Sequence, residues 1–153
     1  MDALRAYRTS IKQGKPFQYV GHNPLGKIAV TVIFLSLIVM AITGLIRAGT
    51  DIYYPPFGSI FAEYVAQPGV DPDSLVPYDT SAVDKEKYDA MKAFKKPIGT
   101  VHIYTSYFVM FLILVHIAAV IHVEVRQGGS IISAMFTGNK VLRDKAQDAD
   151  VQS

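Results

Sequence analysis

Residues 97–123 read PIGTVHIYTSYFVMFLILVHIAAVIHV, 27 positions without a formal charge between Lys96 and Glu124. As a helix rising 1.5 Å per residue the stretch reaches about 40 Å, enough to cross a hydrocarbon core of about 30 Å. A soluble core helix of that length would show a polar stripe toward solvent, and none is present. The stretch does contain three histidines, His102, His116 and His122. An ionisable side chain at membrane depth is costly and marks a functional position by default. His102 and His116 lie 14 residues apart. That spacing places them within about 40° of each other on one helix face and about 21 Å apart along the axis.

A second uncharged stretch, IAVTVIFLSLIVMAITGLI, runs from Ile28 to Ile46 between Lys27 and Arg47. Its 19 residues reach about 28 Å. It starts too late, is too long and lacks the small-residue cleavage pattern expected of a secretory signal. Two transmembrane helices follow. The rest of the composition agrees. Half of the 153 residues are apolar and 18% are charged, too greasy for a disordered chain. There is no cysteine, which excludes disulfides, thiolate metal sites, iron–sulfur ligation and covalently attached haem c. A net charge of +2 gives no reason to expect a nucleic-acid partner.

Two imidazoles on one face, one near each membrane surface, suit a particular cofactor. A haem is roughly 10 Å across and takes axial imidazoles, so two haems stacked through a bilayer want ligands at about the spacing of His102 and His116. Ser106, Val109 and Ile113 lie on the same stripe and are small or flat enough to pack against a macrocycle. A shared zinc ion would need its ligands within a few ångströms of each other. The plainer alternative is that these histidines bond a neighbouring helix or snorkel to the surface. His122, beside Glu124 and Arg126, reads as an interfacial residue. His22, in YVGHNPLGK, reads as a turn residue or part of a quinone or proton site. Thr43-Gly44 lets a helix or a porphyrin edge come close, or is an ordinary small-residue packing contact.

Charge then divides the chain. The arm 1–27 carries five basic residues against Asp2, whereas residues 48–99 carry five lysines against eight acids. The positive-inside rule places both termini in the cytoplasm and the acidic loop outside. Within the arm 1–27, residues 1–19 set Leu4, Tyr7, Ile11 and Phe17 opposite the basic residues, as an amphipathic helix on lipid would. The remaining divisions are a transmembrane helix over 28–47, an extracytoplasmic loop over 48–96, a histidine-bearing transmembrane helix over 97–123 and a cytoplasmic tail over 124–153. Residues 48–99 hold six prolines and five tyrosines, and the loop contains a short helical candidate from Ala82 to Phe94. Its length suggests docking on a partner. Tyr53 and Tyr54 suit an interfacial belt. In the tail, Gly128-Gly129 breaks the helix, Ser130 caps the segment IISAMF, and Gly138 ends it.

The run GHNPLGKIAV (21–30), then Thr43-Gly44, then VHIAAVIHVEVRQGGSIISAMFTGNKVLRDK (115–145) resembles the C-terminal half of the b-type cytochrome subunit of membrane-bound nickel-iron hydrogenases, within the bacterial cytochrome b561-type group. The resemblance covers most of 18–145 apart from the loop. It implies half of a four-helix bundle binding two non-covalent haem b groups, with one ligand to each haem from the last helix, at His102 and His116, and Gly44 near a haem edge. The family's first two helices have no counterpart here, so the chain is expected to be half of a split cytochrome b. A second half would supply two more histidines. The implied function is an electron-transfer subunit, not catalytic alone, between a membrane quinone and an extracytoplasmic redox enzyme such as a hydrogenase or another iron–sulfur or haem protein. Two competing readings are a haem-free membrane anchor for a peripheral enzyme and a parallel homodimer sharing haems between copies.

Overall fold

The computed structural model describes residues 2–19, 21–127, 132, 137 and 138. They form four helices: α1 (Asp2–Lys12), α2 (Pro24–Ile52), α3 (Gly58–Val65) and α4 (Lys85–Gln127), with a short 3-10 turn at Pro72–Ser74. The chain divides into two compact units, Met1–Phe34 with Met110–Ser153, and Leu35–Val109. The tail segment IISAMF and its Ser130 cap lie outside the described residues except for Ile132, while Gly138 has a φ of +74°.

In the first unit, α1 starts with Asp2 and ends with Lys12, each favoured by the helix dipole at its own end. The helix stops at Gly14, whose φ of +73° suits a residue without Cβ. Lys15 N–H bonds the Ser10 carbonyl and Gly14 N–H the Ile11 carbonyl, the paired closure of a Schellman motif. Part of the apolar side of α1 is covered within the chain. Tyr7 is almost fully buried, with its ring edge-on to Tyr19 at 5.7 Å between centroids. Burial, with Tyr19 second, raises the Tyr7 phenol above its usual range, while a hydrogen bond with Asn23 opposes the shift. The expected turn at Asn23-Pro24 is a helix cap. Asn23 Oδ1 accepts Gly26 N–H at 2.8 Å, and Pro24 sits where its missing N–H costs nothing.

In the second unit, the loop between α2 and α4 is a small folded body. Ala62, Val65, Ala66, Leu75, Val83 and Met91 form its core, with Tyr53, Phe61 and Tyr88 packed against it. An isolated bridge joins Ala66 to Val83, through Gln67 N–H to the Ala82 carbonyl at 3.2 Å and Asp84 N–H to the Val65 carbonyl at 2.8 Å. Gly58 is required, because a Cβ there would lie 1.7 Å from the Tyr53 carbonyl oxygen. Tyr53 itself has a φ of 55° and turns into this core, which leaves Tyr54 as the exposed member of the expected aromatic belt. Burial raises the Tyr53 phenol, with Tyr88 a second cause.

The helical candidate expected over 82–94 is the first part of α4, not a separate element. Asp84 caps it, its Oδ1 accepting the N–H groups of Glu86 at 3.0 Å and Lys87 at 3.2 Å. The helix runs through Pro97 without a break. Proline removes one backbone donor, a local loss that a helix of 43 residues absorbs. Beside it Lys95 pairs with Asp51, which Arg47 also approaches at 3.9 Å, so α2 and α4 are tied at this level. In both long apolar helices only 6% of the most apolar stretch is buried inside the protein. Phe34, Ile42, Tyr104, Phe111 and Leu114 are among the large side chains that remain exposed. That area is available to lipid and to further helices.

Met91, 2% exposed in the loop core, tests whether this body is a folded unit. Met91→Ala is expected to cost it about 2–5 kcal/mol. Limited proteolysis of membranes should then cut within 66–84 faster than in the wild type, while the two long helices stay protected.

Candidate functional site

In the Leu35–Val109 unit the site centres on His102. Its imidazole Nδ1 lies 2.9 Å from the Thr43 hydroxyl. A Cβ added at Gly44 would stand 3.4 Å from His102 Cε1, so the glycine leaves room for the ring where α2 passes it. The Thr43 oxygen also lies 2.7 Å from the Val39 carbonyl and 3.3 Å from that of Met40. One turn outward, a Cβ at Gly99 would come within 4.0 Å of Arg47 Nε. The contact of Thr43-Gly44 is therefore with an imidazole, a partner 59 residues away in sequence.

The rest of the expected stripe is less uniform. Ser106 points its hydroxyl back to the Ile103 carbonyl at 2.7 Å. Val109 is buried within the chain itself. Ile113 belongs to the other unit and is exposed. The half-buried positions on α4 there, among the described residues, are Leu112, His116, Val120, Val123 and Glu124.

In the unit of residues 1–34 and 110–153, His116 opens onto a cavity of about 940 Å³. Such a volume is at the upper end of small-molecule and cofactor sites, which span roughly 300–1,000 Å³. The walls are mostly apolar, with His22, Asn23, Tyr7, Tyr19 and His122 among the polar exceptions. Spacing along the sequence set His22 and His122 apart from His116. The fold brings all three to one cavity, because the Asn23 cap starts α2 beside the end of α4. The HNP turn was visible in sequence; what it would face was not.

These side chains fit a haem by the chemistry of their donors. A hydroxyl has one proton and two lone pairs, and Thr43 has a carbonyl at 2.7 Å in reach of that proton. An imidazole whose Nδ1 is occupied by a hydroxyl keeps Nε2 for a metal. Among the described residues no three of His, Cys, Asp and Glu gather as a metal-binding cluster, so each imidazole would serve as a single axial ligand.

Comparison with known proteins agrees with this chemistry. A family model for prokaryotic cytochrome b561 matches residues 2–138. A curated relative from Rhizobium leguminosarum bv. viciae, described as a probable Ni/Fe-hydrogenase B-type cytochrome subunit, is 28% identical over 137 residues. The match covers 86% of this chain and 46% of the relative, so the chain spans about half the length of that protein. No solved structure matches the chain.

Proposed function

Because the chain belongs to the prokaryotic cytochrome b561 family, we propose that it is a haem b electron-transfer subunit of a membrane respiratory complex, working between a membrane quinone and a partner redox enzyme. The observation that carries this reading is the His102 imidazole, held at Nδ1 by Thr43 with Gly44 clearing space beside the ring. Haem b, when bound, supplies a one-electron couple at its iron. His102 holds one haem and His116 the other. Two further helices, each presenting a histidine, complete the coordination and cover the exposed apolar faces of α2 and α4. A four-helix bundle results, with this chain as one half. With His102 or His116 on one side and an imidazole of the other half on the other, each haem would have no position free for oxygen and would serve to carry electrons.

The cavity lined by His116, His22 and Asn23 suits a quinone head group, with apolar walls for the ring and polar side chains for its oxygens. The basic residues of the arm support a cytoplasmic position for this end. The loop body lies on the opposite side of the bacterial inner membrane and docks the partner enzyme. A hydrogenase is the first candidate, from the description of the relative; another iron–sulfur or haem protein would serve the same chemistry. The loop offers an apolar groove of about 360 Å³ between α3 and the start of α4, lined by Ile60, Phe61, Tyr64, Ala90, Met91 and Phe94. Lys87 stands 5.8 Å from the centre of the Tyr64 ring and Lys92 5.3 Å from that of Tyr88. Aromatic side chains around an apolar groove, with charged groups at its rim, are what protein docking favours.

His102→Ala and His116→Ala are each expected to remove about half of the haem α-band from the purified complex, since their spacing of about 21 Å assigns them to different haems. Reduced-minus-oxidised spectra decide this. If neither substitution changes the haem content, the chain is a haem-free anchor; if each abolishes both haems, the separate assignment is wrong.

Ile60→Glu tests the docking face without touching the loop core. It should weaken association with the partner enzyme about tenfold, the equivalent of about 1.4 kcal/mol at a hot-spot position. Haem content should not change. Co-purification yield and quinone-coupled electron transfer measure it. Full-rate transfer with normal assembly places the docking site elsewhere.

A further inference from the structure

We propose that Thr43 is a positioning residue that fixes the tautomer, orientation and donor strength of His102. The inference rests on the reading of His102 as a haem ligand. The Thr43 hydroxyl lies 2.7 Å from the Val39 carbonyl and 2.9 Å from His102 Nδ1. We assign the single hydroxyl proton to the Val39 carbonyl, the shorter of the two contacts and the usual back-bond of a helical threonine. Toward His102 the same oxygen has only lone pairs to offer. Nδ1 must therefore carry the ring proton and donate it, and Nε2 is left bare.

The environment makes this arrangement durable. Thr43 is one of four buried residues of α2, so water does not compete for its oxygen. A buried donor left without an acceptor costs about 1–3 kcal/mol, which opposes rotation of the ring away from Thr43. Gly44 completes the geometry, since a Cβ there would already stand 3.4 Å from His102 Cε1, the carbon between the two ring nitrogens. An Nδ1–H bonded to an oxygen also pushes electron density toward Nε2 and makes it a stronger ligand. A stronger axial donor favours the ferric state, so Thr43 holds the potential of that haem down.

The test uses the haem-loaded complex purified from membranes. Thr43→Val keeps the shape and removes the oxygen. It is expected to move the midpoint potential of one haem upward and weaken retention of that haem about 10- to 100-fold, leaving the other haem unchanged. Thr43→Ser, which restores a hydroxyl, should return both properties toward the wild type. Should Thr43→Val fail to accumulate, Thr43→Ala is judged by the same readings. Wild-type potential and retention in the hydroxyl-free variant, while His102→Ala loses that haem, overturns the role of Thr43 and leaves the haem assignment standing. A serine variant that behaves like valine also overturns it, since size and not the hydroxyl would then matter. If His102→Ala keeps both haems, the ligand reading and this inference fall together.

Discussion

An imidazole within an apolar helix must satisfy its ring nitrogens, and the structure around His102 is arranged by that requirement. Water is not at hand to solvate the ring. The nearest solution is a hydroxyl on the adjacent helix, and Thr43 supplies one at 2.9 Å. That contact needs the two helices close, which in turn needs a small residue at position 44. The same closeness brings Arg47, one turn on, over Gly99, and lets Asp51 receive Lys95. The loop body then leaves α2 at Tyr53 and enters α4 at Asp84. A single polar group at depth thus sets the local approach of α2 and α4, and the approach sets where the loop begins and ends.

Much of this was legible in the residues, and for definite reasons. A charge-free run of 27 residues is a thermodynamic statement about solvent, so Pro97–Val123 identified its helix whatever lay around it. The phase of His102 and His116 follows from helical geometry alone. The GHNP run read as a turn, and the structure makes it the cap of α2, a role that suits Asn and Pro. Other features depend on contacts between distant positions. Nothing local distinguishes a threonine back-bonded to its own helix from one that also holds an imidazole 59 residues away. Nor does the sequence near His22 reveal that it lines a cavity with His116. At Pro97 the local signal pointed the wrong way. A proline after two lysines reads as a boundary, yet cooperativity along a long helix and the Lys95–Asp51 pair outweigh the loss of one backbone bond.

The two histidines have different surroundings, and on the electron-transfer reading the difference has a use. His102 is clamped by a hydroxyl and a neighbouring helix backbone, so its ring has little freedom. A ring held this way would move little as a bound haem changed oxidation state, which would lower the cost of reorganisation on each transfer. His116 faces a large cavity that also holds His22, Asn23 and two tyrosines. A cavity of that kind admits a small diffusible molecule and offers it proton-bearing groups. Quinone reduction consumes protons along with electrons, whereas transfer to or from a docked protein cofactor need not. The end that exchanges with quinone therefore needs room and titratable side chains. The end that faces a protein needs a rigid ligand and a folded surface, and the loop core around Val65 and Met91 supplies that surface. On that reading a quinone would suit the His116 cavity and a protein partner the loop body.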